Sequence, residues 1–78
     1  MIYQVQNVKR NFEQFSFCVI KEYECGIFTY YGGFNNPWRA ACAVDECGDG
    51  IMVEPKNIKV INYITHKTLL QEINERNS

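Results

Sequence analysis

The sequence has almost no excess charge and no long apolar run, and both absences exclude functions. Lysine and arginine total 8 against 9 aspartates and glutamates, a formal net charge of −1. Nucleic-acid-binding proteins usually carry a basic patch, because phosphate neutralisation supplies most of their non-specific affinity. No segment approaches the roughly 20 apolar residues that span a bilayer, and the N-terminal residues show no targeting pattern. We therefore expect a cytoplasmic protein with no membrane contact, and a nucleic-acid role is disfavoured.

The sequence also lacks the patterns of catalysis and metal binding. His66 is its single histidine, and its place near a predicted helix start is typical of an exposed residue rather than of a general base. The cysteines at Cys18, Cys25, Cys42 and Cys47 include no CxxC pair, the spacing that structural zinc sites use. Without a targeting segment a disulfide framework is not expected either, so free thiols are the favoured interpretation. We predict no catalytic residue, no metal, no cofactor and no enzymatic activity.

The chain does contain apolar and aromatic side chains, which make up 46% and 14% of its 78 residues. That share supports a globular core, and the length leaves room for one domain, residues 1–78. Alternating side chains predict strands over residues 2–8 and 15–23, and β-branched and aromatic residues predict a third over 27–31. The glycines, asparagines and proline of residues 32–37 predict a loop.

The segment from Trp38 to Ile61 organises the predicted fold. Its residues 40–44 alternate as in a strand, and residues 51–53 alternate in the same way across a glycine-containing turn at 46–50. Pro55 cannot donate a backbone hydrogen bond, so the chain should leave the sheet there before residues 58–61 rejoin it. Beyond this segment, apolar side chains at helical spacing predict a short C-terminal helix at about 65–76.

Parts of this segment resemble the second half of an SH3-type barrel, namely Trp38-Arg39-Ala40, Gly48-Asp49-Gly50-Ile51 and Pro55-Lys56-Asn57-Ile58-Lys59-Val60. In that family a tryptophan opens a strand, a glycine-containing turn follows, and a proline corner leads into the last strand. Tudor-like barrels share this layout. The ALYDY-type run of peptide-binding SH3 domains is absent, and two extra residues separate Ile51 from Pro55. The resemblance implies a mainly β, SH3-like small barrel of five or six antiparallel strands with a C-terminal helix, more than it implies recognition of proline-rich peptides.

An aromatic cluster around the predicted loop is the candidate binding site. Its rings fall within nine positions, an arginine adjoins them, and an acidic turn follows. Aromatic residues with a polar edge are enriched where proteins bury the surface of a partner. A small barrel also needs such rings inside, and that alternative stays open. The candidate partner-binding residues are Tyr30, Tyr31, Phe34, Trp38, Arg39, Asp45, Glu46 and Asp49.

Two functions fit these observations. The first is a non-catalytic protein-binding module, an adaptor or a small inhibitor of a host or partner protein. The asparagine- and isoleucine-rich composition, which also includes lysine, is typical of an AT-rich bacterial or phage genome and favours a mobile-element origin. The alternative is a nucleic-acid-associated small barrel that uses Lys9, Arg10, Arg39 and Lys56 around stacked aromatic rings. The sequence leaves the oligomeric state open.

Overall fold

The computed structural model describes residues 1–64, which form a five-stranded sheet and an α-helix, so the fold is mainly β as predicted. The predicted C-terminal helix at residues 65–76 lies outside the described residues. Short 3-10 helices cover Phe12–Gln14 and Pro55–Asn57. The strands are β1 (Tyr3–Gln6), β2 (Phe17–Glu24), β3 (Ile27–Phe34), β4 (Gly50–Val53) and β5 (Ile58–Val60), and the helix is α1 (Pro37–Cys47).

The sheet is open and mixed, and the prediction of an antiparallel barrel was wrong. Its strand order is β4-β2-β3-β1-β5, and within residues 1–64 no pairing joins the edge strands β4 and β5. Strand β2 is antiparallel to β3 and β4, whereas β1 is parallel to β3 and β5. Because β3 and β4 run in the same direction on either side of β2, a tight turn cannot join them. Helix α1 makes this crossover instead.

The predicted strand at residues 40–44 is part of α1. Asn36 is the N-cap: its side-chain oxygen Oδ1 accepts from the backbone N–H of Trp38 at 2.8 Å and of Arg39 at 3.4 Å. Pro37 is the first helical residue, where its missing N–H costs nothing. The buried residues Ala40, Ala43 and Cys47 recur at helical spacing. The predicted strand would have placed residues 40, 42 and 44 on one buried face. Cys42 is exposed, so burial in this segment does not alternate as in a strand.

The predicted hairpin turn at residues 46–50 is the end of this helix. Glu46 and Cys47 are helical, and Gly48 follows with a φ of 81°, a left-handed conformation that glycine adopts without strain. The N–H of Gly48 donates to the carbonyl of Asp45 at 3.2 Å. Strand β4 then pairs with β2 rather than with the segment before the turn.

The predicted loop at residues 32–37 is shorter than expected, because β3 continues through Phe34 and α1 begins at Pro37. Glycine is needed at Gly33, where a Cβ would lie 2.1 Å from the Phe15 ring and 2.7 Å from the Tyr30 hydroxyl. The ring of Phe15 therefore lies directly on the backbone of β3. The chain reverses between β2 and β3 at Cys25 and Gly26, and Gly26 has a φ of 81°.

The sheet has apolar side chains on both faces. On one face, the ring of Phe34 and the side chain of Val19 pack against the buried alanines of α1. On the other face, the fully buried Val5 and Ile20 belong to a second, larger cluster. This second cluster consists of Val5, Val8, Phe12, Cys18, Ile20, Tyr30 and Val53, with Tyr3, Phe28, Ile51, Ile58 and Val60 packed against it.

Candidate functional site

A groove of about 330 Å³ lies between α1 and β3. One side is an exposed flank of the helix, and the other is formed by aromatic residues of the strand. Five of its residues belong to the predicted binding site, which the fold therefore brings largely together. The groove is lined by Tyr31, Phe34, Trp38, Arg39, Cys42, Ala43 and Glu46.

Trp38 is the most unusual residue of this groove, because 76% of its surface is exposed. The cap on α1 determines its position: Asn36 binds the backbone N–H of Trp38, which fixes the first turn of the helix. The ring projects from this turn while the alanines on the opposite flank pack on the sheet. Since a large aromatic ring loses much favourable burial when it stays in water, its exposure marks a candidate contact surface.

A β-bulge places Tyr31 in the same groove. Val19 pairs with Gly32 and Ile20 pairs with Tyr30, so Tyr31 is the extra residue between two ladder positions. Bulges commonly redirect a side chain next to a functional site. Tyr31 is 46% exposed and lines the groove opposite α1.

The groove carries opposite charges at its two ends. Arg39 lies in the first turn of α1 and Glu46 in its last, and seven residues of helix separate them by about 10 Å. Both side chains are exposed, and within residues 1–64 no ion pair involves either of them. The two charges are therefore available to a partner.

A second cavity of about 400 Å³ adjoins the groove beyond Glu46. Tyr31 and Glu46 line both cavities, so the two lie side by side near the end of α1. The ammonium of Lys21 reaches the C-terminal end of the helix, where it would lie 3.7 Å from a Cβ on Gly48. This lysine supplies positive charge at the negative end of the helix dipole.

Three predicted site residues do not line the groove, and one of them, Tyr30, lines the adjoining cavity instead. Tyr30 is 6% exposed and belongs to the core on the sheet face away from α1. Burial raises the pKa of Tyr30 above its ordinary value, and a hydrogen bond to the Cys18 thiol adds to the shift. Burial raises the pKa of Cys18 as well, and its hydrogen bond with Tyr30 partly opposes that shift. Asp45 and Asp49 are exposed and line neither cavity.

Several lining residues were not predicted from the sequence: Cys42 and Ala43 in the groove, and Lys21, Glu22, Tyr23, Thr29 and Cys47 in the adjoining cavity. A helical interpretation of the segment would have found Cys42, which lies one turn after Trp38 on the same face. The residues of β2 could not be found in this way, because they reach the cavity through the pairing register between β2 and β3, which no local sequence pattern indicates.

A search of protein-family models, curated proteins and solved structures gives no significant match to this chain. Among residues 1–64, no group of three or more histidine, cysteine, aspartate or glutamate side chains is placed to hold a metal ion. The described part of the chain also contains no helix long and apolar enough to cross a membrane.

Proposed function

We propose that this chain is a non-catalytic protein-binding module, of the adaptor or inhibitor type, that binds a partner protein in the groove beside α1. The observation that carries the proposal is the exposure of Trp38, 76%, beside a bulged tyrosine in an aromatic-lined groove. Tryptophan, tyrosine and arginine are the residues that most often dominate the energy of protein interfaces. All three types meet here, in Trp38, Tyr31 and Arg39.

The fold supports this use of the groove because its walls are regular elements. Trp38 and Arg39 are held by a capped helix turn, and Tyr31 lies in a bulge of β3 whose two neighbours, Tyr30 and Gly32, both pair with β2. Side chains on rigid elements lose less entropy on binding than side chains on mobile loops. The central rings are thus positioned before a partner arrives.

The nucleic-acid alternative finds less support. Of its four basic residues, Lys56 pairs with Glu54 at 3.0 Å, and Arg39 belongs to the groove on α1. Lys9 and Arg10 lie in the segment before Phe12, whose ring packs on the opposite sheet face. Oligonucleotide binding that weakens steeply with salt would favour this alternative over protein binding.

The proposal is tested by affinity capture with tagged chain in its native cells. We expect Trp38→Ala and Tyr31→Ala to lose, by at least tenfold, a protein that the unaltered chain retains in stoichiometric amount. Tyr63→Ala is the matched control, because Tyr63 is 48% exposed against 46% for Tyr31 and lies outside the groove. Equal recovery with all three variants, each folded by circular dichroism, would contradict the proposal.

A further inference from the structure

Helix α1 carries its charges in the reverse of the order that its dipole favours. The positive N-terminal end of a helix favours acidic residues, and the negative C-terminal end favours basic ones. The first turn of α1 has no acidic residue and the last turn has no basic one. Arg39 lies in the first turn, and Asp45 and Glu46 lie near the end. Each terminus therefore carries unfavourable charge on the helix's own residues, which Lys21 of β2 offsets in part at the C-terminal end.

These charged residues share one face of the helix with Trp38 and Cys42. At 100° per residue, the five side chains fall within about 120° of the helix circumference, and all five residues are exposed. The residues that pack on the sheet, Ala40, Ala43, Val44 and Cys47, lie on the opposite side. An unpartnered helix face thus combines a large apolar ring with a base at one end and two acids at the other.

This face is complementary to itself when two copies are antiparallel. A two-fold axis at Cys42 sets Arg39 of each copy opposite Asp45 of the other, and Trp38 opposite Glu46. The same arrangement brings the positive end of one helix dipole to the acidic last turn of the second copy, which offsets the unfavourable charge in each. Self-complementarity of this kind is what a two-fold interface requires.

We propose that the protein bound by this groove is a second copy of the chain, docked through α1 in antiparallel orientation. The inference rests on the proposed function, because it names the partner of the same surface. Cys42 is small enough for the helices to approach at the axis, and each Trp38 ring packs across the second copy's helix. Interfaces built on one short helix bury little area, so the dimer forms in a concentration-dependent way.

The test uses two charge variants that should stabilise the helix itself. Arg39→Glu places an acid at the third helical position, where it can complete a capping box with Asn36. Asp45→Lys/Glu46→Lys places bases in the last turn, where the dipole favours them, beside the ammonium of Lys21. Loss of association in either variant is therefore not a consequence of a damaged helix, which circular dichroism checks directly.

Sedimentation equilibrium of the full chain gives the readout, at concentrations up to about 1 mM. The wild type should move from its monomer mass of 9.1 kDa towards twice that value. Each charge variant alone should stay monomeric, because its helix face carries one sign of charge. An equimolar mixture of the two should dimerise, since one face is then acidic and the other basic. Glu13→Lys, on the other side of the sheet, should dimerise like the wild type.

Other outcomes overturn the inference without removing the proposed function. A wild-type chain that stays at the monomer mass at every concentration shows that the groove binds a different protein, which the capture experiment detects. If both charge variants still dimerise, the copies associate through another surface. If the mixture of the two variants stays monomeric, these charges do not hold the copies together. Loss of groove-dependent capture, by contrast, removes the proposed function itself.

Discussion

Replacing Trp38 by alanine should leave the free energy of unfolding nearly unchanged. Burial of about a quarter of its surface is a small part of the 3–5 kcal/mol that a core tryptophan loses on truncation, so we estimate a cost of about 1 kcal/mol. Alanine is also the better helix former by roughly 0.5 kcal/mol, which offsets part of this cost. The net change should therefore be below about 1 kcal/mol.

The control for this prediction is Ile20→Ala, because Ile20 is fully buried in the core on the other sheet face. Truncation of such a residue should cost about 2–5 kcal/mol, a large share of the stability of a small domain. Urea denaturation followed by circular dichroism, at low protein concentration, measures both variants without the tryptophan signal. A loss above about 2 kcal/mol for Trp38→Ala, or its failure to fold, would show that the ring belongs to the core and refute the description of the groove.

Two further predictions concern the cap of α1 and the buried tyrosine. Asn36→Ala removes the acceptor for the N–H of Trp38 and should lower the free energy of unfolding by about 1 kcal/mol, a fall in Tm of about 4–8 °C. Asn36→Asp keeps an acceptor and should preserve the stability. Equal Tm values for the two variants would contradict the role of Asn36 as the cap. Because burial raises the pKa values of Cys18 and Tyr30 above 9.0 and 10.0, both side chains favour the neutral form in the folded state. Their contribution to the free energy of unfolding is complete below pH 9 and is lost as the pH rises, because the two side chains ionise in the unfolded chain at lower pH than in the folded one. Urea titrations should show the free energy of unfolding falling from pH 9 to 11, and falling less steeply in Tyr30→Phe. An identical pH dependence in the wild type and in Tyr30→Phe would contradict the burial of the Tyr30 hydroxyl.

The strands that the sequence predicts correctly are those whose alternation matches their burial. In β2, Cys18 and Ile20 face one core while Val19 faces the other, so the first half of the strand is continuously apolar. Helix α1 was missed because alanine and cysteine are compatible with either period. The Asn36-Pro37 pair, interpreted as a loop, is an N-cap followed by proline at the first helical position, which is a start signal for a helix.

The topology could not be predicted from local pattern. The parallel pairing of β1 with β3 and β5 joins residues far apart in the chain, and no turn residue specifies it. The resemblance to SH3-type barrels rests on a tryptophan, a glycine turn and a proline corner, and here they lie in a helix, at its end and in a 3-10 turn. Short motifs of this kind reflect the order of residues along the chain and do not determine whether the sheet closes into a barrel.

Most of the candidate residues meet in the fold even though the elements that carry several of them were predicted wrongly. Tyr31, Phe34, Trp38, Arg39 and Glu46 meet in one groove, although three of them were assigned to strands or turns and are helical. Residues that are close in sequence stay close in space whether the segment is a strand or a helix, so these residues cluster although the secondary structure was predicted wrongly. Tyr30 differs, because the bulge at its neighbour turns its ring to the opposite core.

The central claim is that Trp38 is in water in the free chain and covered when the groove is occupied. Because Trp38 is the single tryptophan, iodide quenching of its fluorescence measures this directly. In dilute solution the quenching should approach that of a free indole, and it should fall as the chain is concentrated or as a captured partner is added. A ring that is already protected in the dilute monomer, or that stays equally accessible in every complex, would contradict the account.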